Sequence, residues 1–531
     1  MSINHESSQS LLQQPALSGY PRLAEDAQAW LEALDGEPLA NAVNLSLQNL
    51  SSLNRESLPG TARLTILEAF LGPYRDMAKR SRQVRDRSRG TIKGLRPINQ
   101  VAHELALSYH LIVRNILDDL GGERGARLPG AEADLLATAL ERAIRFTGEL
   151  ILDYLARYLP PRDQAWYAIQ QLYLHAEQQA LSARAVPSPN DGPRTTIRRT
   201  FKRIVLTSLA NPYQLTHGAL WHIHDHLETR PDWLDLAQLL TPASLSAPQK
   251  PGEPPSYLID LGADRGPRPL IEGESEGLRA SQHRLLDVRP LTATVRRHIA
   301  SEHTGMAAGA PAPDPEQPDV GQLLRHAVLA WERAQRRKQT RHAREGWIEA
   351  IFGFERINAY IHAQIERYRT HSGSVENRRL ACRLVNESRG GLCLELPADE
   401  HAELAVGQLL LASPTGQFHS GEVLIVGAIR WLNDLGDSGY RFGIETLGHL
   451  ALPVTLSPDD APDQPTDALL ILSSSEDMEG ILVSPPQLYR SGRSLHVAGP
   501  LPERADQRTR VIATENVEVA ADHVRFRYAI E

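Results

Sequence analysis

The chain runs to 531 residues, 41% hydrophobic and 23% charged, the balance of a folded multidomain protein rather than a disordered one. Its formal net charge of −8 argues against a whole-chain polyanion binder, and two cysteines, Cys382 and Cys393, are too few for a disulfide framework or a four-thiolate zinc site. No uncharged apolar run reaches the roughly 20 residues that span a bilayer, and Met1–Ser8 lacks the basic-then-apolar order of a secretory signal, so a cytoplasmic setting is expected.

Residues 1–245 read as helices. Apolar residues at 101, 105, 109, 112, 113 and 116 make one stripe at helical spacing, and Leu140 to Tyr158 repeats the period before Pro160-Pro161 stops it. Asp163 is the expected cap of the next helix, which carries Trp166, Ile169, Leu172 and Tyr173. Its Trp-x-x-Ile-x-x-x-Tyr is similar to the first helix of a tetratricopeptide repeat, but Thr200 stands where a second Trp would fall. An irregular bundle or solenoid is therefore expected. Residues 246–318 read as a Pro-rich linker with short strands at Tyr257–Leu261 and Leu285–Val288. A helix over Leu323–Trp331 follows.

From Trp347 the pattern changes to strands. Trp347–Phe352 is a short β-prone run, and an amphipathic helix at about 355–370 carries Ile357, Tyr360, Ile361, Ile365 and Tyr368. Alternating strands return at Leu380–Leu384 and Leu392–Leu396, then at Leu409–Leu411, Val423–Trp431 and Tyr440–Leu447. After a break at Pro462–Pro465, residues 466–531 read as a C-terminal β-rich domain.

Two motifs carry chemistry. Arg336-Arg-Lys-Gln-Thr-Arg341 precedes the first strand, and its arginines offer planar donor forks suited to phosphate oxygens or the O6/N7 edge of guanine. Asn386-Glu-Ser-Arg-Gly-Gly391 lies between two strands: Asn386 and Ser388 share a face, and Gly390 and Gly391 admit a close approach that a Cβ would block. No general base or nucleophile accompanies them, so binding rather than catalysis is expected. The pairs Arg333/Arg337 and Arg379/Arg383 fit the same loose spacing. The 337/341 pair is preferred because it precedes the first strand.

These motifs resemble those of the PilZ domain, a bacterial receptor module for cyclic di-GMP, over about residues 330–450. R-x-x-x-R appears as Arg337–Arg341 and [D/N]-x-S-x-x-G as Asn386–Gly391, with similar later strands in Val426–Trp431 and Tyr440–Glu445. The resemblance implies a six-stranded β-barrel whose arginine-bearing arm and Asn/Ser/Gly turn clamp the dinucleotide. The ligand-binding residues it implies are Arg337, Arg341, Asn386, Ser388 and Gly391, with Arg336 as a weaker candidate. The 45 residues from Arg341 to Asn386 exceed the family's usual spacing, and a helical insertion after the first strand accounts for that. The expected fold class is thus α+β: a large N-terminal irregular helical bundle or solenoid, a PilZ-like barrel over 319–455, and the small C-terminal region. No cofactor beyond the ligand is expected, and the helical region is expected to contact a protein partner.

Lys79–Arg96 holds eight cations against Asp86 alone. It supports the alternative of a ligand-free helical adaptor that binds protein or RNA, though no aromatic residue is interleaved for base stacking. His222 and His226 lie one helical turn apart without a third ligand, which favours a polar helix surface over a metal site.

Overall fold

A computed structural model describes residues 27, 30–32, 34, 36–87, 97–119, 128, 130–188, 194–216, 218–242, 255–271, 274–305, 320–332, 341–370, 378–388, 390–400, 402–414, 424–472, 480–490, 492–499, 509–520 and 522–531. Two compact units emerge. The first holds helices α1 (Leu39–Leu53), α2 (Gly60–Arg87), α3 (Pro97–Asp119), α4 (Gly130–Ala156), α5 (Ala165–Gln178), α6 (Ile197–Ser208), α7 (Ala219–Thr229) and α8 (Pro231–Leu236). Helices α9 (Arg289–Gly305) and α10 (Val320–Glu332) complete it.

The helical stripe of α3 is real: Val101, Leu105, Tyr109, Ile112, Val113 and Ile116 are all buried. Helix α4 begins ten residues before the periodic run at Leu140, because Leu136, Ala137 and Ala139 are buried too. It is enclosed on nearly every side and carries Glu141, Arg142 and Arg145 inside.

The cap of α5 differs from the expectation at Asp163. Its N-cap position is Gln164, and Asp264 supplies the acceptors from a distant loop, taking the Gln164 N–H at 2.5 Å and the Tyr167 N–H at 3.2 Å. A carboxylate brought by tertiary packing has no local signal.

The short runs at 257–261 and 285–288 find partners. Strands β1 (Gln238–Leu240), β2 (Tyr257–Asp260), β3 (Arg268–Pro269) and β4 (His283–Asp287) form a four-stranded sheet of order β1-β4-β2-β3. Helix α10, expected with the barrel, belongs instead to this first unit. Its Trp331 is wholly buried and donates to Leu206 O at 2.8 Å, and Tyr257 Oη donates to Trp331 O at 2.9 Å.

The second unit contains two closed antiparallel barrels. The first comprises β5 (His342–Phe352), β6 (Leu380–Ser388), β7 (Gly391–Leu396), β8 (Leu409–Pro414), β9 (Ile425–Asp434) and β10 (Tyr440–Gly448), in the closed order β8-β9-β10-β7-β6-β5. The fold class of the whole chain is α+β, as expected. Cross-strand register joins Ile348 to Cys382, Leu384 to Leu394 and Leu394 to Phe442, so these buried side chains line one interior. Burial pushes the Cys382 thiol up to about 12, which leaves it a small inert core residue.

Helix α11 (Phe354–Thr370) lies between β5 and β6 in the chain, as an insertion in the barrel. Ile357 and Ile361 are buried as expected, while the Ile365 side chain falls outside the described residues. One apolar cluster unites Ile357, Tyr360 and Ile361 with Leu409, Leu411 and Val426 of this barrel and Leu469, Ile471 and Val483 of the next.

The second barrel comprises β11 (Leu450–Pro458), β12 (Thr466–Leu472), β13 (Gly480–Ser484), β14 (Ser494–Ala498), β15 (Thr509–Val519) and β16 (Val524–Ile530), in the closed order β11-β12-β13-β16-β15-β14. The C-terminal β-rich region is therefore a full barrel. The Pro462–Pro465 break is the turn of its first hairpin, with Leu456 paired to Thr466 across it. Proline marks a turn without saying whether the chain then leaves the domain.

Candidate functional site

Strand β5 runs antiparallel to β6 with His342 opposite Glu387 and Ala343 opposite Asn386. Continuing that register by one residue puts Arg341 beside Ser388, where the two strands open. A residue 45 positions away in sequence is thus delivered to the Asn386 turn by strand pairing, across the inserted helix. Arg336 and Arg337 lie outside the described residues.

The turn is closely held. Ser388 Oγ donates to Gly391 O at 3.2 Å, and Thr446 N–H donates to Gly390 O at 3.0 Å. Both carboxylate oxygens of Glu387 accept from Arg344 Nη1 at 2.7 Å, which neutralises the acid paired across from His342. Asn386 Oδ1 is buried and accepts no hydrogen bond from the described residues. A buried amide oxygen without a donor carries a desolvation cost that an incoming N–H would relieve.

At Gly391 the backbone of a neighbouring strand makes the close approach. A Cβ built there would stand 1.9 Å from Ile444 O, a backbone atom of the neighbouring strand. Its small size lets β7 approach β10; a close ligand is not needed to explain it.

Three bulges surround this face, between Ala343 and Gly346, between Leu384 and Asn386, and between Ile429 and Trp431. Each re-aims the strand by one residue. The result is an outer-face row of cross-strand partners, Ala343, Asn386, Cys393, Gly443 and Trp431. The Trp431 indole occupies the space above Gly443, where a Cβ would lie 1.9 Å from its Nε1. A parallel row holds Trp347, Arg383, Glu395, Arg441 and Asn433. Arg383 and Arg441 both bond the Glu395 carboxylate, Arg441 Nε at 2.7 Å. Sequence reading missed this second row, because alternation marks the outward residues without saying which of them are neighbours across strands.

A family model for the middle PilZ domain of the cyclic-di-GMP receptor FimW matches residues 358–453, and one for that receptor's N-terminal domain matches residues 25–243. This chain contains a PilZ domain. The cyclic-di-GMP receptor FimW of Pseudomonas aeruginosa is 23% identical over 494 residues, covering 81% of this chain and 78% of that one. The PilZ match takes in β6–β10 of the first barrel, which β5 closes, and the helical match covers α1 to α8.

The other sequence candidates do not converge on the PilZ face. Arg379 of the competing arginine pair approaches Glu349 Oε2 at 3.6 Å and lies 5.9 Å from the Tyr360 ring. Arg82 of the basic run sits 3.7 Å over the Trp221 ring and 3.5 Å from Asp225 Oδ2, while residues 88–96 lie outside the described residues. His222 is exposed on α7, His226 packs against Trp233 at 5.4 Å, and no cluster of three metal-ligating side chains occurs among the described residues. No described helix is long and apolar enough to cross a membrane.

Proposed function

We propose that this chain is a cyclic di-GMP receptor that binds the nucleotide on the outer face of its PilZ barrel, with a helical region that contacts an output partner in the cytoplasm. The observation that carries the reading is the β5–β6 register, which sets Arg341 beside the Asn386–Ser388 turn. In this reading Arg337 and Arg341, with Arg336 beside them, supply guanidinium forks to phosphate and guanine. Asn386 and Ser388 contribute polar contacts, and Gly391 holds the turn against β10. The unpartnered Asn386 Oδ1 suits the N–H donors of a guanine edge. The arrangement binds without chemistry on the ligand, so the protein acts as a receptor and not an enzyme.

Isothermal titration of the full chain with cyclic di-GMP tests this. Micromolar or tighter binding is expected. Arg337→Ala and Arg341→Ala should each remove a charge-assisted fork worth about 2–3 kcal/mol, a roughly 30–140-fold loss. Arg379→Ala should bind as the parent does. Abolished binding in Arg379→Ala with normal binding in Arg337→Ala would reverse the motif assignment. Absence of binding by the parent would favour the ligand-free adaptor.

A further inference from the structure

The row next to the Asn386 turn holds a feature the motif reading leaves unused. Trp347 is 53% exposed, a large indole standing on the outside of a barrel strand. Its cross-strand neighbour is Arg383, followed by Glu395, Arg441 and Asn433. Two guanidiniums share one carboxylate here, so the row keeps an uncompensated positive charge, and the side chains of Arg383 and Arg441 are 52% and 44% exposed. At the far end Asn433 Oδ1 is buried and accepts no hydrogen bond from the described residues, as Asn386 Oδ1 does in the adjoining row. On β7, β10 and β9 the two rows are two residues apart, roughly 7 Å, whereas the bulges on β5 and β6 set them four and three residues apart.

An exposed aromatic face beside guanidiniums in excess of their shared carboxylate supplies what holds a purine nucleotide: the ring stacks and the phosphate meets guanidinium. We infer that the ligand face extends over Trp347 and Arg383, with Trp347 stacking one purine base of the cyclic dinucleotide and Arg383 meeting a phosphate. The inference rests on the receptor reading above and assigns it two further contact residues. Arg383 then belongs to the site through its place on the sheet, although the Arg379–Arg383 spacing that drew attention to it does not.

Titration of the full chain with cyclic di-GMP separates the possibilities. Trp347→Ala should weaken binding about tenfold or more, the loss of one base–aromatic stack, while Trp347→Phe keeps affinity within about threefold. Arg383→Ala should also lose about tenfold. Ligand should quench tryptophan fluorescence in the parent, and that quench should be smaller in Trp347→Phe, where Trp431 of the adjoining row still reports the ligand, which covers the case in which Trp347→Ala fails to fold. Parent-like affinity in Trp347→Ala and Arg383→Ala, alongside weakened Arg341→Ala, overturns this inference and leaves the receptor reading standing. A quench of undiminished size in Trp347→Phe also overturns it. No binding by the parent removes the receptor reading itself.

Discussion

Gly391 shows how one residue can satisfy a binding motif for reasons of packing. Because its missing Cβ makes room for Ile444 O, alanine there forces two strand backbones apart. Gly391→Ala should cost about 2 kcal/mol or more of stability, the scale of overpacking in a closed core, and thermal melting should show it without ligand. Loss of binding in that variant would then report a damaged barrel rather than a lost contact. Ser388→Ala is the contrasting case. It removes one hydrogen bond, to Gly391 O, worth about 1 kcal/mol, and its melting temperature should stay near the parent's. The motif letters Asn, Ser and Gly were legible in the sequence, and so was their shared turn. The Ile444 carbonyl that demands the glycine lies 53 residues away, beyond any local pattern.

Helix α4 carries the clearest stability argument at the scale of one element. Glu141 is fully buried, which alone would push its carboxyl up, but the guanidiniums of Arg145 and Arg142 and the Thr200 hydroxyl outweigh burial and hold it down at about 2. Arg145 also bonds Glu228, and Arg142 bonds Glu68 at 2.8 Å, so the helix is tied to α7 and α2 through one network. A carboxyl whose folded value lies below its unfolded value of roughly 4.3 stabilises the fold above that unfolded value. The stabilisation is lost as pH falls through the folded value. Glu141→Gln should therefore cost about 3–5 kcal/mol at neutral pH, where it removes the buried carboxylate that Arg142 and Arg145 share. The gap in denaturant midpoint between variant and parent should narrow below about pH 4.3; a gap that widens on acidification would contradict the network's role. The second element to test is α11, whose Phe354 N–H donates to Asp522 Oδ2 of the second barrel at 3.1 Å. Asp522→Ala removes that acceptor at a cost of about 1 kcal/mol, and should raise amide exchange at 354–357. Such elements were partly legible. Helical and strand periodicities located α3, α11 and the barrel strands, because burial on one face writes itself into local spacing. The Asp264 cap, the hairpin at Pro462–Pro465 and the three bulges were not, because each depends on what distant chain segments bring alongside.

For the molecule as a whole, the proposed ligand site lies close in sequence to the last helix of the first unit. Helix α10 is anchored in the first unit by Trp331 and by the pairing of its Glu332 with Arg296 of α9, Nε to Oε1 at 2.9 Å. Eight residues, 333–340, then lead to Arg341 at the mouth of the PilZ barrel, and they include Arg333, Arg336, Arg337 and Lys338. With Arg341 and Arg344 these make six cations in twelve residues, whose mutual repulsion opposes their gathering at one turn. A dianionic ligand clamped between Arg337, Arg341 and the Asn386 turn would offset that repulsion. It can shift this segment only by the difference in its affinity for the two arrangements, an effect of a few kcal/mol. Hydrogen exchange with and without cyclic di-GMP measures that shift directly. Slower exchange is expected at 341–346 and 386–391, where the ligand sits, and also across 320–332, because α10 ends where that segment begins. If the helical region is the output, the slowing should continue into helices before Pro242, first in α7, which packs against α10, and at the end of α6, where Leu206 O accepts from Trp331. Slowing confined to the two motifs would leave a nucleotide-binding barrel and remove the proposed coupling to the helices.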